Sequence, residues 1–179
     1  MTTGTSPSTD NLYVGKGIVS FKRTGAPGYT DLGEVPEVEL TLTTTKLDYF
    51  SSRSGIRTKV KSVVLERGGT CRIRMDEFSA YNASLYFLGT VDSLTPGGPT
   101  ITIMDDDLIE GKLRFVGTND VGPNWTINLD LVQINPSRSF NVINERDWGN
   151  MEVTMEILKD ATTGKFGTAQ ITNFGNVVS

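Results

Sequence analysis

Apolar and polar residues alternate with a period of two along four stretches of the chain. Val38, Leu40 and Leu42 alternate with acidic and threonine residues, and the pattern recurs over residues 70–76, 125–131 and 151–157. Successive side chains of a β-strand point to opposite faces, so this period predicts strands with one buried and one polar face. Such one-sided burial is typical of antiparallel sheets. Weaker strand patterns occupy residues 12–22, 46–50, 59–67, 112–117, 139–143 and 165–172.

Glycine-rich segments separate the predicted strands. Gly68 and Gly69 lie between two strand patterns. Both residues can take positive φ, so the pair predicts a tight hairpin. Gly97 and Gly98, enclosed by two prolines, mark a further break inside a long connection over residues 90–110.

Residues 79–89 depart from the β pattern. Tyr81, Leu85 and Leu88 fall on one helical face, Ser79 is a suitable N-cap, and Gly89 can end the helix. The sequence therefore predicts a mainly β fold. It consists of two packed antiparallel sheets, as a sandwich or partly open barrel, with one short flanking α-helix.

The length of 179 residues fits one domain, 1–179. Its polar ends, residues 1–11 and 173–179, are predicted to be flexible arms. The N-terminal segment lacks the charged and apolar regions of a signal peptide, and no apolar run approaches the roughly 18 residues of a membrane span. We therefore expect a protein that is made in the cytoplasm and has no membrane partner.

Composition argues against several classes of function. The net charge is −4 and the pI about 4.9, whereas nucleic-acid binding requires a basic surface. The chain has no histidine and one cysteine, Cys71. These counts exclude Ser–His and Cys–His nucleophiles and an internal disulfide, and they argue against zinc. Cys71 lies on the apolar side of its strand and is predicted to be buried. We expect no catalytic, cofactor-binding or metal-binding residues.

An acidic run provides the best alternative to that expectation. Asp105, Asp106 and Asp107, with Glu110 nearby, have the ligand type that calcium or magnesium prefers. Their spacing does not match an EF-hand loop, and adjacent acids in a connection are more often solvated. Paired carboxylates for glycoside hydrolysis remain open, because such enzymes need no histidine.

Charged strand faces and a basic loop indicate contacts with other chains. Arg53, Arg57, Lys59 and Lys61 form a basic segment that suits an acidic neighbour. Strand faces of opposite charge could pair head to tail between copies of the chain. The acidic faces carry Glu37, Glu39, Glu152 and Glu156, and the basic face carries Arg72 and Arg74.

Three segments resemble the opening part of a known family. They are NLYVGKG (residues 11–17), DLGEVPE (31–37) and KLDYFSSRSG (46–55). Together they resemble the tail tube proteins, or major tail proteins, of long non-contractile-tailed bacteriophages, over about the first eighty residues. The resemblance implies two packed β-sheets with a flanking helix, in six copies per ring and with rings stacked into a hollow tube. It also implies a place in the virion tail, assembly in the host cytoplasm around a tape-measure protein, and contacts with terminator and baseplate proteins.

The resemblance also assigns roles to particular residues. The loop over residues 48–58 would contact a neighbouring subunit or ring, through Asp48, Tyr49, Phe50, Arg53 and Arg57. The acids Glu37 and Glu39 would face the lumen, where DNA passes without specific binding.

Two other interpretations remain open at this point. One is another ring component of a phage tail, such as a terminator or baseplate hub, which would not grow open-ended tubes. The other is a β-sandwich binding module, for instance one that binds carbohydrate, which would need an exposed aromatic platform. Trp125 and Trp148 are the only tryptophans available for one.

Overall fold

The computed structural model describes residues 12–53, 55–94, 96–120, 122–135, 140, 142–143, 145–146 and 148–172. The two predicted arms, residues 1–11 and 173–179, lie outside these residues. The described part contains ten strands and one helix: β1 (Gly17–Arg23), β2 (Thr30–Asp31), β3 (Glu37–Ser51), β4 (Thr58–Met75), α1 (Ala80–Tyr86), β5 (Val91–Asp92), β6 (Thr100–Ile101), β7 (Ile109–Gly117), β8 (Asn124–Asn135), β9 (Met151–Ile157) and β10 (Gly167–Thr172).

The strands form two antiparallel sheets of unequal size. Seven strands follow the order β2-β1-β7-β8-β9-β4-β3, and β10 joins them as an eighth strand by pairing with β8. Strands β5 and β6 form a separate two-stranded sheet. The predicted fold class, mainly β with two antiparallel sheets and one short helix, is confirmed.

Strand β8 is the point where the large sheet divides. Its residues 132–135 pair with β9, whereas residues 124–129 pair with β10. The sheet therefore curls, and β1 and β3, which lie far apart in the strand order, approach each other. They line a cavity of about 340 Å³, with Val19 on one side and Val38 and Leu40 on the other. The sheet does not close into a barrel.

The core contains inward residues of three of the four alternating stretches. The first stretch differs from the prediction, because Val38, Leu40 and Leu42 of β3 are 38%, 40% and 73% exposed in the single chain. Cys71 and Ile73 of β4 lie opposite Met155 and Val153 of β9, and all four are buried. Cys71 is thus buried as predicted, and burial raises the pKa of its thiol to about 12. The other buried apolar side chains belong to β1, β4, α1, β7, β8 and β9, together with Leu32 and Leu88.

The predicted helix is present as α1. The Ser79 hydroxyl accepts a hydrogen bond from the Asn82 N–H at 3.1 Å, as an N-cap should. Leu85 and Leu88 are buried. The helix does not end at Gly89 as predicted: its C-cap is Phe87, and the residue that follows with a positive φ, of 48°, is Leu88. Gly89 has another role: an added Cβ would lie 1.8 Å from the Thr102 carbonyl oxygen.

The predicted hairpin at Gly68 and Gly69 is wrong. Strand β4 runs without interruption through both glycines, and its partner is β3. Gly69 lies opposite Leu42, and a Cβ there would come within 2.5 Å of the Thr41 carbonyl oxygen. Gly69 therefore permits close backbone approach inside a strand, which is the other common reason for glycine in a sheet. A Cβ at Gly68 would meet nothing closer than 3.9 Å.

Three further expectations change as a result. The strand patterns at residues 46–50 and 59–67 are the outer halves of β3 and β4. The predicted loop over residues 48–58 is shorter, because residues 48–51 belong to β3 and Thr58 already belongs to β4. In the pattern at residues 139–143, the described residues 140, 142 and 143 lie outside the strands.

Candidate functional site: the projecting hairpin

Strands β3 and β4 extend beyond the rest of the large sheet. Only residues 69–75 of β4 pair with β9. Beyond that point residues 58–68 of β4 pair with residues 43–51 of β3, and no other strand of the described chain supports them. We call residues 43–68 the projecting hairpin. An isolated two-stranded ribbon of this kind is at best marginally stable in water.

The projecting hairpin exposes many large apolar side chains. Tyr49 is 67% exposed and Ile56 is 79% exposed. The other exposed apolar residues of the hairpin are Leu47, Phe50, Val60, Val63, Val64 and Leu65. Many exposed apolar side chains in one short segment are unusual on a soluble monomer and make the hairpin a candidate interaction site.

These apolar side chains occupy both faces of the ribbon. Leu47 lies opposite Val63, and the alternation along β3 puts Tyr49 on that same face. Phe50 and Lys46 lie on the opposite face of β3, and Val64, which pairs with Lys46, lies on that face too. Neither face is polar throughout, so the hairpin can contact other protein on both sides.

Three contacts shape the end of the hairpin, residues 46–61, which we call the hairpin tip. The Asp48 carboxylate lies 2.7 Å from the Lys59 ammonium. Hydrogen bonds from Lys59 and then from Ser62 lower the pKa of Asp48. The Arg57 guanidinium lies 5.0 Å from the centroid of the Phe50 ring, within cation–π range.

The structure therefore brings together the five residues that the sequence assigned to an inter-subunit loop. Asp48, Tyr49 and Phe50 lie on β3 instead of in a loop, and Arg53 and Arg57 lie in the turn. Whether they contact another subunit stays a prediction at this stage.

The two candidate lumen acids lie at the base of the hairpin beside Arg72. The Arg72 guanidinium reaches Glu37 at 2.5 Å, Glu39 at 2.7 Å and Glu152 at 3.3 Å. A hydrogen bond to Glu39 is the largest cause of the raised pKa of Arg72. The predicted acidic and basic strand faces thus meet within one chain, so Arg72 is not available to pair with a second copy.

The acidic run at residues 105–107 does not form a metal site. Asp106 pairs with Arg23 at 2.7 Å, and Asp105 accepts a hydrogen bond from the Thr90 hydroxyl at 2.9 Å. Within the described ranges, no three acidic or cysteine side chains come together in a way that could hold a metal ion. No helix in those ranges is both long enough and apolar enough to cross a membrane.

Sequence reasoning missed the two-sided apolar character of the projecting hairpin. The signal was present in Val63-Val64-Leu65, three apolar residues in succession. A strand that is half-buried in its own sheet would place a polar residue at the middle position. A continuous apolar run indicates that both faces are meant to be covered.

Two solved structures with TM-scores above 0.5 share the fold. One is the sheath-tube complex, in the extended state, of an extracellular contractile injection system (PVC). It matches with a TM-score of 0.52 and 13% identity, over 89% of this chain and 90% of that chain. The other is the sheath/tube terminator of the same system, with a TM-score of 0.51 and 13% identity, over 89% of this chain and 96% of that one.

At this level of identity the likeness shows the fold alone. No curated protein sequence matches the chain. Residues 12–112, more than half of the chain and including the whole projecting hairpin, match the family described as "Protein of unknown function UCP028589", and the chain therefore belongs to that family.

Proposed function

We propose that this chain is a tail tube protein, a structural subunit that forms hexameric rings stacked into a hollow tube. The observation that carries the proposal is the projecting hairpin, whose apolar side chains are exposed on both faces. Burial of such side chains stabilises by about 1.5–3 kcal/mol each. A surface of this kind therefore favours association strongly. The fold it shares with tube complexes supports the same role.

The free edge of β3 supports assembly of identical copies. This strand has 15 residues and stands at the end of the sheet order, so one side of its backbone has no strand partner in the described chain. Long open edges are a liability in a monomer. Lateral pairing with the next copy removes them, and a closed ring leaves none.

The lumen assignment of Glu37 and Glu39 remains part of the proposal. Three carboxylates share the single Arg72 guanidinium, so this face keeps a negative excess. An acidic lumen repels DNA phosphates and lets the genome pass during ejection without specific binding. We place the tube in the virion tail of a long-tailed phage, with a tape-measure protein inside it and terminator and baseplate proteins at its ends, and we assign no catalytic role.

A terminator is the second candidate, since one structural neighbour is a sheath/tube terminator. The two functions differ in growth, because a terminator forms one ring and a tube protein adds ring upon ring. The two-sided hairpin favours the tube, since it offers contacts to more than one neighbour.

Negative-stain electron microscopy of the concentrated protein tests the proposal. We expect long tubes of uniform width from the wild type. The double variant Leu47→Asp/Val63→Asp places two charges on one face of the hairpin. We expect it to remain folded by circular dichroism and to form no tubes.

Leu12→Asp/Tyr29→Asp is the matched control, since it also adds two negative charges at exposed apolar residues, both outside the hairpin. We expect it to form tubes as the wild type does. Isolated rings from the wild type at every concentration would indicate the terminator instead, and a monomer that never associates would refute both functions.

A further inference from the structure

We propose that the hairpin tip of one copy docks onto the connection between α1 and β7, residues 90–108, of a second copy in the next ring. This inference rests on the proposed function and names the partner surface of the hairpin. It concerns contacts along the tube axis, as distinct from the lateral contacts within a ring.

The hairpin tip is strongly basic. Residues 46–61 contain five lysines and arginines and one acid. Lys59 is paired with Asp48. The remaining four are exposed, and the described residues include no ion-pair partner for them: Lys46, Arg53, Arg57 and Lys61. Together with Tyr49, Phe50 and Ile56, they give the tip an apolar centre surrounded by positive charge.

The connection at residues 90–108 has the complementary character. It contains four aspartates and no lysine or arginine. Its exposed apolar residues include Leu94, at 89% exposure, and Met104, at 71%. Ile103 and Leu108 are exposed beside them. Asp106 is paired with Arg23, and the other three aspartates leave the connection net acidic around its apolar side chains. The surface therefore complements the tip in both charge and apolar character.

The connection is held in place before any partner arrives. The Met104 N–H donates to the Phe87 carbonyl at 2.8 Å, and the Asp106 N–H donates to the Leu88 carbonyl at 3.0 Å. Asp106 is also paired with Arg23. A surface with a fixed backbone loses little conformational entropy on binding, so docking there costs less than docking onto a loose loop.

One residue of the connection adopts a strained backbone. Met104 has a φ of 55°, which is uncommon for a non-glycine residue. Its side chain is directed to solvent in spite of that cost. Strained residues that a surrounding structure maintains are concentrated at functional sites. Docking gives this exposed methionine the apolar neighbours that the free chain does not provide.

The two surfaces lie at opposite ends of the molecule. Strand β4 begins at the turn of the hairpin tip and ends at Met75, just before α1, on whose last residues the connection is anchored. Its 18 residues span roughly 55 Å of extended strand. The tip therefore cannot reach its own connection. Complementary patches at opposite ends give a head-to-tail contact that repeats without closing, which is what a stack of rings requires.

Charge reversal on each side, alone and together, tests the contact. The tip variant is Arg53→Glu/Arg57→Glu, and the connection variant is Asp105→Arg/Asp107→Arg, which leaves the Asp106–Arg23 pair intact. We expect each variant to raise the concentration needed for tube growth by about tenfold or more at low salt, a change that corresponds to ~1.4 kcal/mol. Each should accumulate single rings, because the lateral contacts remain.

The combination of the two variants is the decisive sample. With all four charges reversed, the tip becomes acidic and the connection basic, and we expect tube growth to return to within about threefold of the wild type. Lys112→Glu/Arg114→Glu is the matched control, because it reverses two exposed charges on β7. It should grow tubes normally.

The outcomes separate this inference from the proposed function. If both double variants grow tubes like the wild type, or if the combined quadruple variant does not recover tube growth, the docking inference is wrong and the tube function stands. If the wild type forms no tubes, the proposed function itself fails. High salt provides a further check, since it should weaken wild-type growth toward the level of the single-sided variants.

Discussion

Arg72 is the side chain that joins three parts of the chain at the base of the hairpin. It contacts Glu37 and Glu39 on β3 and Glu152 on β9, so it connects both neighbours of β4. Its guanidinium presents several donors in a fixed plane, a geometry that a lysine cannot reproduce. Without it, three carboxylates would face one another across the sheet.

We predict that Arg72→Ala lowers the thermal unfolding midpoint, because the three acids lose the cation that they contact and only Arg74 remains on that face of β4 to offset their repulsion. The deficit should shrink at high salt, which screens that repulsion. Arg114→Ala is the control, since Arg114 is exposed on β7 and has no ion pair with the described residues. Circular dichroism melts at low and high salt measure the effect, and equal midpoints for both variants would contradict it.

Two glycines lie where the backbone of a neighbouring segment comes too close to leave room for a Cβ atom. Gly69 admits the Thr41 carbonyl, and Gly89 admits the carbonyl of Thr102. The second contact fixes the connection against α1, at the surface to which we assign docking. Its effect on stability can be measured in the free subunit, without any assembly.

We predict that Gly89→Ala destabilises the subunit by about 1–3 kcal/mol, because the added methyl group must displace backbone. Gly28→Ala is a suitable control: a Cβ at Gly28 meets nothing within 4 Å, and no positive φ is required there. We expect that control to be neutral or slightly stabilising. Urea denaturation of both variants measures the difference, and equal midpoints would show that the contact is unimportant.

The alternation of the sequence was sufficient to predict the supported halves of the strands, but not the outer half of the hairpin. Residues 71–75 alternate because one face is covered by the same chain, whereas residues 38–42 alternate although their apolar side chains stay exposed. Residues 60–65 do not alternate, and no other strand of the described chain covers either of their faces. The Gly68-Gly69 pair was assigned to a turn for a related reason. Close approach and positive φ both require glycine, and sequence alone does not separate them.

The described chain as a whole is a curled, supported sheet with an unsupported extension. The curled part encloses the core of buried residues, whereas the projecting hairpin contributes exposed apolar side chains. Two-stranded ribbons open readily when nothing covers them. The stability of this molecule is therefore expected to be uneven, high in the sheet and low in the hairpin.

We predict that amides of the projecting hairpin exchange rapidly with deuterium in the free subunit and at least about tenfold more slowly in tubes, because neighbouring copies then cover them. Amides of β9 serve as the internal control, since β9 pairs on both sides within one chain. Hydrogen exchange with mass spectrometry reads both regions in one sample. Equal exchange of the hairpin before and after assembly would show that it is not an interface.

The pairing of β3 with β4 contains two register shifts, one between Thr45 and Lys46 and one between Tyr49 and Phe50. At each shift β4 inserts an extra residue, so its residues 58–66 are matched by only residues 45–51 of β3. A ribbon with one edge longer than the other bends and twists. In the proposed tube, copies that lie side by side along such bent ribbons would form a curved array. Removing the surplus residues Val60 and Leu65 would straighten the ribbon, and the array would then tend toward flat, unbounded layers in place of a cylinder.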